Sequence, residues 1–165
     1  MIQRIQSLFL VAVVAIMGWF CFTKIWVKVN DKTADEIIFT PVSLTFINAS
    51  VNDSQLSNLS IVSTSTLHIL VLAAIISVLA VVSLASFSNR VRQMKLGFLN
   101  TLLIVILFAL MFYQIMEADK LLAHPVYGEY RMGFFLPLFA LGFNILANFY
   151  IKRDEDLVRS ADRIR

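Results

Sequence analysis

Four uncharged apolar runs limit what this chain can fold into. They cover residues 5–23, 67–87, 96–116 and 132–151, and none contains Asp, Glu, Lys or Arg. Each has 19 to 21 residues, so as an α-helix it is about 30 Å long, which is the hydrocarbon thickness of a bilayer. A soluble fold could not bury them, because 59% of the 165 residues are hydrophobic, against about 45–50% in ordinary domains.

The sequence therefore predicts an all-α membrane protein, a bundle of four transmembrane helices in one domain that covers residues 1–165. The spans are expected near residues 5–26, 66–88, 96–116 and 132–151, with an outer loop at 27–65 and a tail at 152–165. The first run could be a cleaved signal peptide, but it is longer than an ordinary h-region and no small-residue cleavage site follows it. We expect it to be retained as a span.

The basic residues predict the orientation. Nine of the 14 Lys and Arg residues lie in the N-terminus, the link between spans two and three, and the tail. The other side has five, together with seven acidic residues. Since cytoplasmic segments carry the excess of Lys and Arg, we expect both termini to lie in the cytoplasm. These residues flank the apolar runs and form no basic stripe with interleaved aromatics, so nucleic acid is not an expected partner.

The outer loop contains the main signal for β-structure. Val42, Leu44 and Phe46 alternate with their neighbours, residues 59–66 are rich in β-branched residues, and turn-forming residues lie between the two stretches. This pattern predicts a small β-hairpin on the outer face of the bundle.

The tail is patterned as a short amphipathic helix that continues span four. Leu157, Ala161 and Ile164 share one face, and Glu155 and Arg159 have the spacing of a surface ion pair. Such a helix either lies on anionic lipid or binds a partner protein. The expected cytoplasmic contact surface consists of Arg90, Arg92, Asp154, Glu155, Arg159, Arg163 and Arg165.

Polar and small residues inside span four predict helix packing. They recur at spacings of three and four and so lie on one stripe, where small residues let backbones approach and amides bond across the interface. The predicted packing residues are Gly133, Pro137, Ala140, Asn144 and Asn148. The alternative interpretation of this stripe is a polar path for a solute.

No residue pattern predicts catalysis, a cofactor or a metal. The two histidines, His68 and His124, make a weak metal signal without further ligands, and the lone Cys21 excludes an internal disulfide. Charged groups inside spans usually mark ion pathways, and their absence argues against ion coupling. The poorest alternative, an enzyme acting on lipid, would depend on Glu117, Asp119 and His124.

Three segments carry a resemblance to a known family. Residues 1–6 (MIQRIQ), residues 89–93 (NRVRQ) and above all residues 154–165 (DEDLVRSADRIR) resemble the domain-of-unknown-function family 4293, small four-span proteins of the Bacteroidetes inner membrane. The resemblance implies a bacterial inner membrane and a four-helix architecture, and it implies no activity.

Two functions remain open on the sequence alone. The favoured hypothesis is a non-enzymatic accessory or scaffold subunit of a larger inner-membrane protein complex, in contact with membrane lipids and with a partner through the spans and the tail. The alternative is a small homo-oligomeric transporter or channel for a neutral or lipid-like solute, with its path near Asn144 and Asn148.

Overall fold

Each apolar run forms a helix. The computed structural model of the chain describes residues 3–30, 35–49, 59–86, 89–122 and 127–162. The helices are α1 (Gln3–Phe20), α2 (Leu67–Ala85), α3 (Arg90–Lys120) and α4 (Met132–Asp162). The strands are β1 (Trp26–Asn30), β2 (Asp35–Phe39), β3 (Ser43–Ala49), β4 (Leu59–Ser65) and β5 (Glu129–Tyr130).

The four helices form a closed ring. α1 packs against α2 and α4, and α3 packs against the same two helices. On α2 the buried residues are Ile69, Ala73, Ile76, Ala80 and Ser83, a spacing of three and four that places one narrow face in the core. The opposite faces remain apolar and exposed; Phe98 of α3, for example, is 72% exposed. A helix that is apolar all round is typical of a membrane span.

The helix lengths agree with a multi-pass membrane protein. By length and composition, α2, α3 and α4 can each cross a membrane, whereas α1 is a shorter apolar helix. α1 ends at Phe20, six residues before the predicted limit of 26 for the first span, and Trp26 already belongs to β1. α3 begins six residues before the predicted third span, and α4 continues through the tail to Asp162.

An antiparallel sheet of five strands lies at one end of the bundle, in the order β4-β3-β2-β1-β5. The two strands predicted as a hairpin exist as β3 and β4 and pair from Ser43–Ser65 to Ala49–Leu59. The β-structure is nevertheless larger than the predicted small hairpin, because five strands accompany the four helices. β1 and β2 extend the sheet, and β5 joins it from the link between α3 and α4.

The sheet belongs to the same core as the helices. Trp26, Ile37 and Phe39 are fully buried, in one cluster with residues of the helices such as Phe20, Ile69 and Met111. We call this end of the molecule the sheet end. The tail end is the opposite one, where α1 and α3 begin and α4 extends.

Candidate functional site

At the tail end, one carboxylate joins three helices. Asp154 of α4 is only 7% exposed, and its Oδ2 accepts a hydrogen bond of 3.0 Å from Nε2 of Gln6 in α1. Arg90, the first residue of α3, lies 3.6 Å from the same oxygen and donates a 2.8 Å bond to the Asp154 carbonyl. A buried carboxylate is stable only when it is paired and hydrogen-bonded in this way. We call these three residues the Asp154 clamp.

The clamp changes the composition of the expected contact surface. Arg90 and Asp154 bind each other inside the protein, whereas Arg92 is exposed and Glu155 is half-buried. The backbone of Arg159 lies in α4, but its side chain is outside the described part, as are Arg163 and Arg165. Within the described part of the tail end, the exposed charged residues also include Lys95, Lys152, Arg153 and Asp156.

Midway along the bundle, amide side chains connect α3 to α4. The Asn144 amide nitrogen donates to the Gly97 carbonyl at 2.9 Å and to Oγ1 of Thr101 at 2.8 Å. Its oxygen accepts from Asn100 at 3.3 Å. Asn148 occupies the place that a side chain at residue 97 would need, so only glycine allows this close approach. We call these five residues the amide seam.

Two oxygen atoms in the amide seam are buried without a partner. In the described part of the chain, neither Oδ1 of Asn100 nor Oδ1 of Asn148 has a hydrogen bond. Such atoms are uncommon in folded proteins. The amide seam therefore has acceptor capacity that its own side chains do not satisfy.

The remaining residues of the predicted packing stripe are also placed inside. Gly133, Pro137 and Ala140 are buried with Asn144, while Asn148 is half-buried. Gly133 approaches the connection between α1 and β1: its amide donates to the Lys24 carbonyl at 3.1 Å, and an added Cβ would lie 2.6 Å from that oxygen.

At the sheet end, a buried lysine links β1 to α3. Lys28 is 3% exposed, and its Nζ donates to Oδ1 of Asp119 at 2.8 Å, to the Asp119 carbonyl at 3.2 Å and to the Leu122 carbonyl at 3.0 Å. Cations are favourable where the last carbonyls of a helix lack partners. In the sequence Lys28 was counted among five outer charges. The alternation of Val27 and Val29 gave no signal of its burial, because it predicts the opposite face of β1 as the apolar one.

The residues of the weaker hypotheses do not form a reactive group. Glu117 pairs with Lys120 at 2.6 Å and Asp119 with Lys28, and His124 lies outside the described residues. His68 Nε2 is 3.3 Å from the Gln114 amide nitrogen. Among the residues that the structure describes, no three His, Cys, Asp or Glu side chains come together as metal ligands would.

A lipid-sized groove runs along the outer faces of α3 and α4. It has a volume of about 500 Å³ and an almost wholly apolar lining, which includes Ile104, Phe108 and Met116 of α3 and Pro137 and Leu141 of α4. Between Ile104 and Met116 the helix rises about 18 Å, roughly three fifths of a 30 Å hydrocarbon core. Its chemistry suits an acyl chain of the surrounding bilayer.

The family comparison covers nearly the whole chain. A family model described as a domain of unknown function (DUF4293) matches residues 2–164. The chain belongs to this family. The DUF4293 match includes both the clamp and the sheet, and its description names no activity. No curated protein matches the chain.

Proposed function

We propose that this protein is a non-enzymatic accessory or scaffold subunit of a bacterial inner-membrane protein complex. The observation that carries the proposal is the length of α4, which runs unbroken over 31 residues. At about 1.5 Å per residue it measures about 46 Å, some 16 Å more than a bilayer core. Its last turns present exposed charged residues such as Lys152, Arg153 and Asp156 on a rigid helix, and such a surface suits protein contact.

We further propose that all four helices cross the membrane, with both termini in the cytoplasm. The position of α1 in the ring, from Gln6 at the tail end to Phe20 at the sheet end, supports a fourth span. The count of cations supports the orientation. Nine of the 14 Lys and Arg residues belong to the N-terminus, the link between α2 and α3, and the tail, and an excess of Lys and Arg is what the positive-inside rule requires of the cytoplasmic side.

Single cysteines test the orientation. In a Cys21→Ser background, Val42→Cys places a thiol at an exposed turn of the sheet end and Ser160→Cys places one on α4. In spheroplasts, a membrane-impermeant maleimide is expected to label Val42→Cys, and to label Ser160→Cys only after lysis. Labelling of both thiols before lysis, or the reverse pattern, contradicts the proposed topology.

Co-purification tests the accessory role. The tagged protein, expressed at native level and extracted in mild detergent, should recover one other membrane protein in stoichiometric amount. The double variant Arg92→Gln/Arg153→Gln should lose it, because both side chains are exposed at the tail end. The control Lys24→Gln/Lys120→Gln removes the same charge from exposed positions at the sheet end and should retain it. Recovery of this chain alone, as monomer or homo-oligomer, overturns the proposal.

One observation favours the second candidate, a homo-oligomeric transporter or channel for a neutral or lipid-like solute. The unpartnered oxygens of Asn100 and Asn148 are acceptors of the kind that a solute hydroxyl would use. Wild-type proteoliposomes should then be leakier than empty ones to a panel of neutral solutes, and Asn148→Ala should reduce that flux. Equal leakage from wild-type and empty vesicles rejects this candidate.

A further inference from the structure

β4 is an edge strand among the strands that the structure describes. It pairs along all seven residues with β3, and no described strand lies on its other side. Ile61 is 64% exposed and Val62 60% exposed. Because successive side chains of a strand point to opposite faces, both faces of β4 are exposed at these two residues.

Hydrogen bonds at the end of the β3–β4 ladder define which backbone groups of β4 face outward. Thr66, the residue after β4, donates its N–H to the Val42 carbonyl at 3.1 Å, and these two residues continue the register in which Ser43 opposes Ser65. Bonded pairs alternate with unbonded pairs in an antiparallel ladder. The groups that point to β3 therefore belong to the even-numbered residues, Ser60, Val62 and Thr64.

The odd-numbered residues of β4 consequently turn their N–H and C=O groups away from the sheet. The opposite strand agrees with this parity. Ser43, which opposes Ser65, bonds its N–H and C=O to Thr40 rather than to β4. A row of four donors and four acceptors therefore lines the free edge, and it comes from Leu59, Ile61, Ser63 and Ser65.

The sequence of β4 lacks the devices that protect such an edge. Exposed edge strands are usually blocked by a charged residue, a proline or a bulge. Residues 59–65 (LSIVSTS) contain neither charge nor proline, and their register with β3 is unbroken. The other edge strand, β5, has only two residues.

We propose that β4 pairs antiparallel with β4 of a second copy of this chain, so that two sheets join into one of ten strands. In the full-length register Val62 opposes the partner's Val62, and all outward groups of both strands are bonded. The lack of charge favours this occupant, because two-fold pairing places identical residues near one another and a charged strand would repel itself. Two-fold symmetry is the commonest symmetry of protein dimers. Two copies with the same membrane topology have their sheets on the same side of the membrane.

Disulfide crosslinking tests the register. In the Cys21→Ser background, Val62→Cys places two thiols on directly opposed residues of an unbonded pair, with Cα atoms about 4.5 Å apart, within the range of a disulfide. Thr64→Cys is the matched control on the same face. Residue 64 opposes the partner's Ser60, so the residues at position 64 of the two chains lie about 14 Å apart along the strands. Mild oxidation in native membranes should crosslink Val62→Cys at least tenfold more; equal crosslinking, or more at residue 64, overturns the register.

Proline substitution tests the interface without a new thiol. Ser63→Pro removes an outward N–H and leaves the pairing with β3 intact, since proline is tolerated where the N–H faces a free edge. It should reduce the dimer fraction about tenfold or more, as measured by light scattering in detergent, with thermal stability near wild type. Thr64→Pro removes an inward N–H and should unfold the sheet. An unchanged dimer fraction for Ser63→Pro, or a wholly monomeric wild type, overturns the dimer and leaves the accessory role unaffected.

Discussion

Replacement of the buried Lys28 by methionine should destabilise the sheet end of the protein. Methionine keeps most of the aliphatic stem and removes the ammonium that donates to Asp119 Oδ1 and to the carbonyls of Asp119 and Leu122. Asp119 is 57% exposed, so water can replace the lysine at its carboxylate. The Asp119 carbonyl in the last turn of α3 and the Leu122 carbonyl just after that helix lose a charged donor, at about 1–3 kcal/mol each. Relief of the lysine desolvation offsets part of this loss, and we expect a net cost of about 2–3 kcal/mol.

Thermal unfolding in detergent measures this effect. For a chain of this size, about 2–3 kcal/mol corresponds to a Tm lower by about 5–10 °C. Tryptophan fluorescence is a suitable probe because Trp26, one of two tryptophans, lies in β1 and is 2% exposed. The matched control is Lys24→Met at an exposed position nearby, which should change the Tm little. Equal Tm values for the two variants would refute the reasoning, and an Asp119→Asn cost as large as that of Lys28→Met would assign the effect to the carboxylate instead.

Three further changes test the clamp, the amide seam and the packing of Gly133. Asp154→Asn removes the charge that Arg90 and Gln6 contact and should lower the free energy of unfolding by about 1.5–3 kcal/mol. Its control, Asp156→Asn, lies at an exposed position on the same helix and should lower it little. Equal losses of unfolding free energy in the two variants would contradict the Asp154 clamp. Gly97→Ala places a methyl group on the Asn148 amide and should cost about 1–3 kcal/mol. Its control, Gly142→Ala, has open space around the new methyl group and should be neutral or stabilising by up to about 1 kcal/mol. A lower Tm for Gly142→Ala than for Gly97→Ala would reject the geometry of the amide seam. Gly133→Ala should lower the Tm by a few degrees, because the Lys24 carbonyl oxygen lies 2.6 Å from the new carbon. An unchanged Tm would show that the connection between α1 and β1 can move away from the new methyl group at little cost.

The helices and two strands could be predicted from sequence because their signals are local. An uncharged run of about 20 residues identifies its own helix, and the alternation at Val42, Leu44 and Phe46 identifies β3. β1 (WVKVN) and β2 (DEIIF) are shorter and carry charges, and β5 has two residues. Their strand character depends on partners elsewhere in the chain, so the predicted hairpin was smaller than the observed sheet.

The contacts at the candidate site could be predicted only in part, since they join distant residues. The spacing of Asn144 and Asn148 was visible along one helix, but their counterparts Gly97, Asn100 and Thr101 belong to another. Arg90 and Asp154 appeared as surface charges because nothing in the sequence shows that two residues 64 positions apart bind each other. A charge alone does not distinguish a residue that waits for a partner protein from one that already has a partner inside the fold.

The Asp154 clamp has a consequence for biosynthesis. The bond from Gln6 to Asp154 spans 148 residues, so the first helix to leave the ribosome contacts the last one. At about 5–20 residues per second, roughly 7–30 s separate the synthesis of the two residues. During that time α1, the shortest of the four helices, can pack against α2 but not against α4, which has not yet been synthesised. A nascent chain that stops before α4 therefore leaves α1 without one of its two neighbours and the Arg90 guanidinium without Asp154.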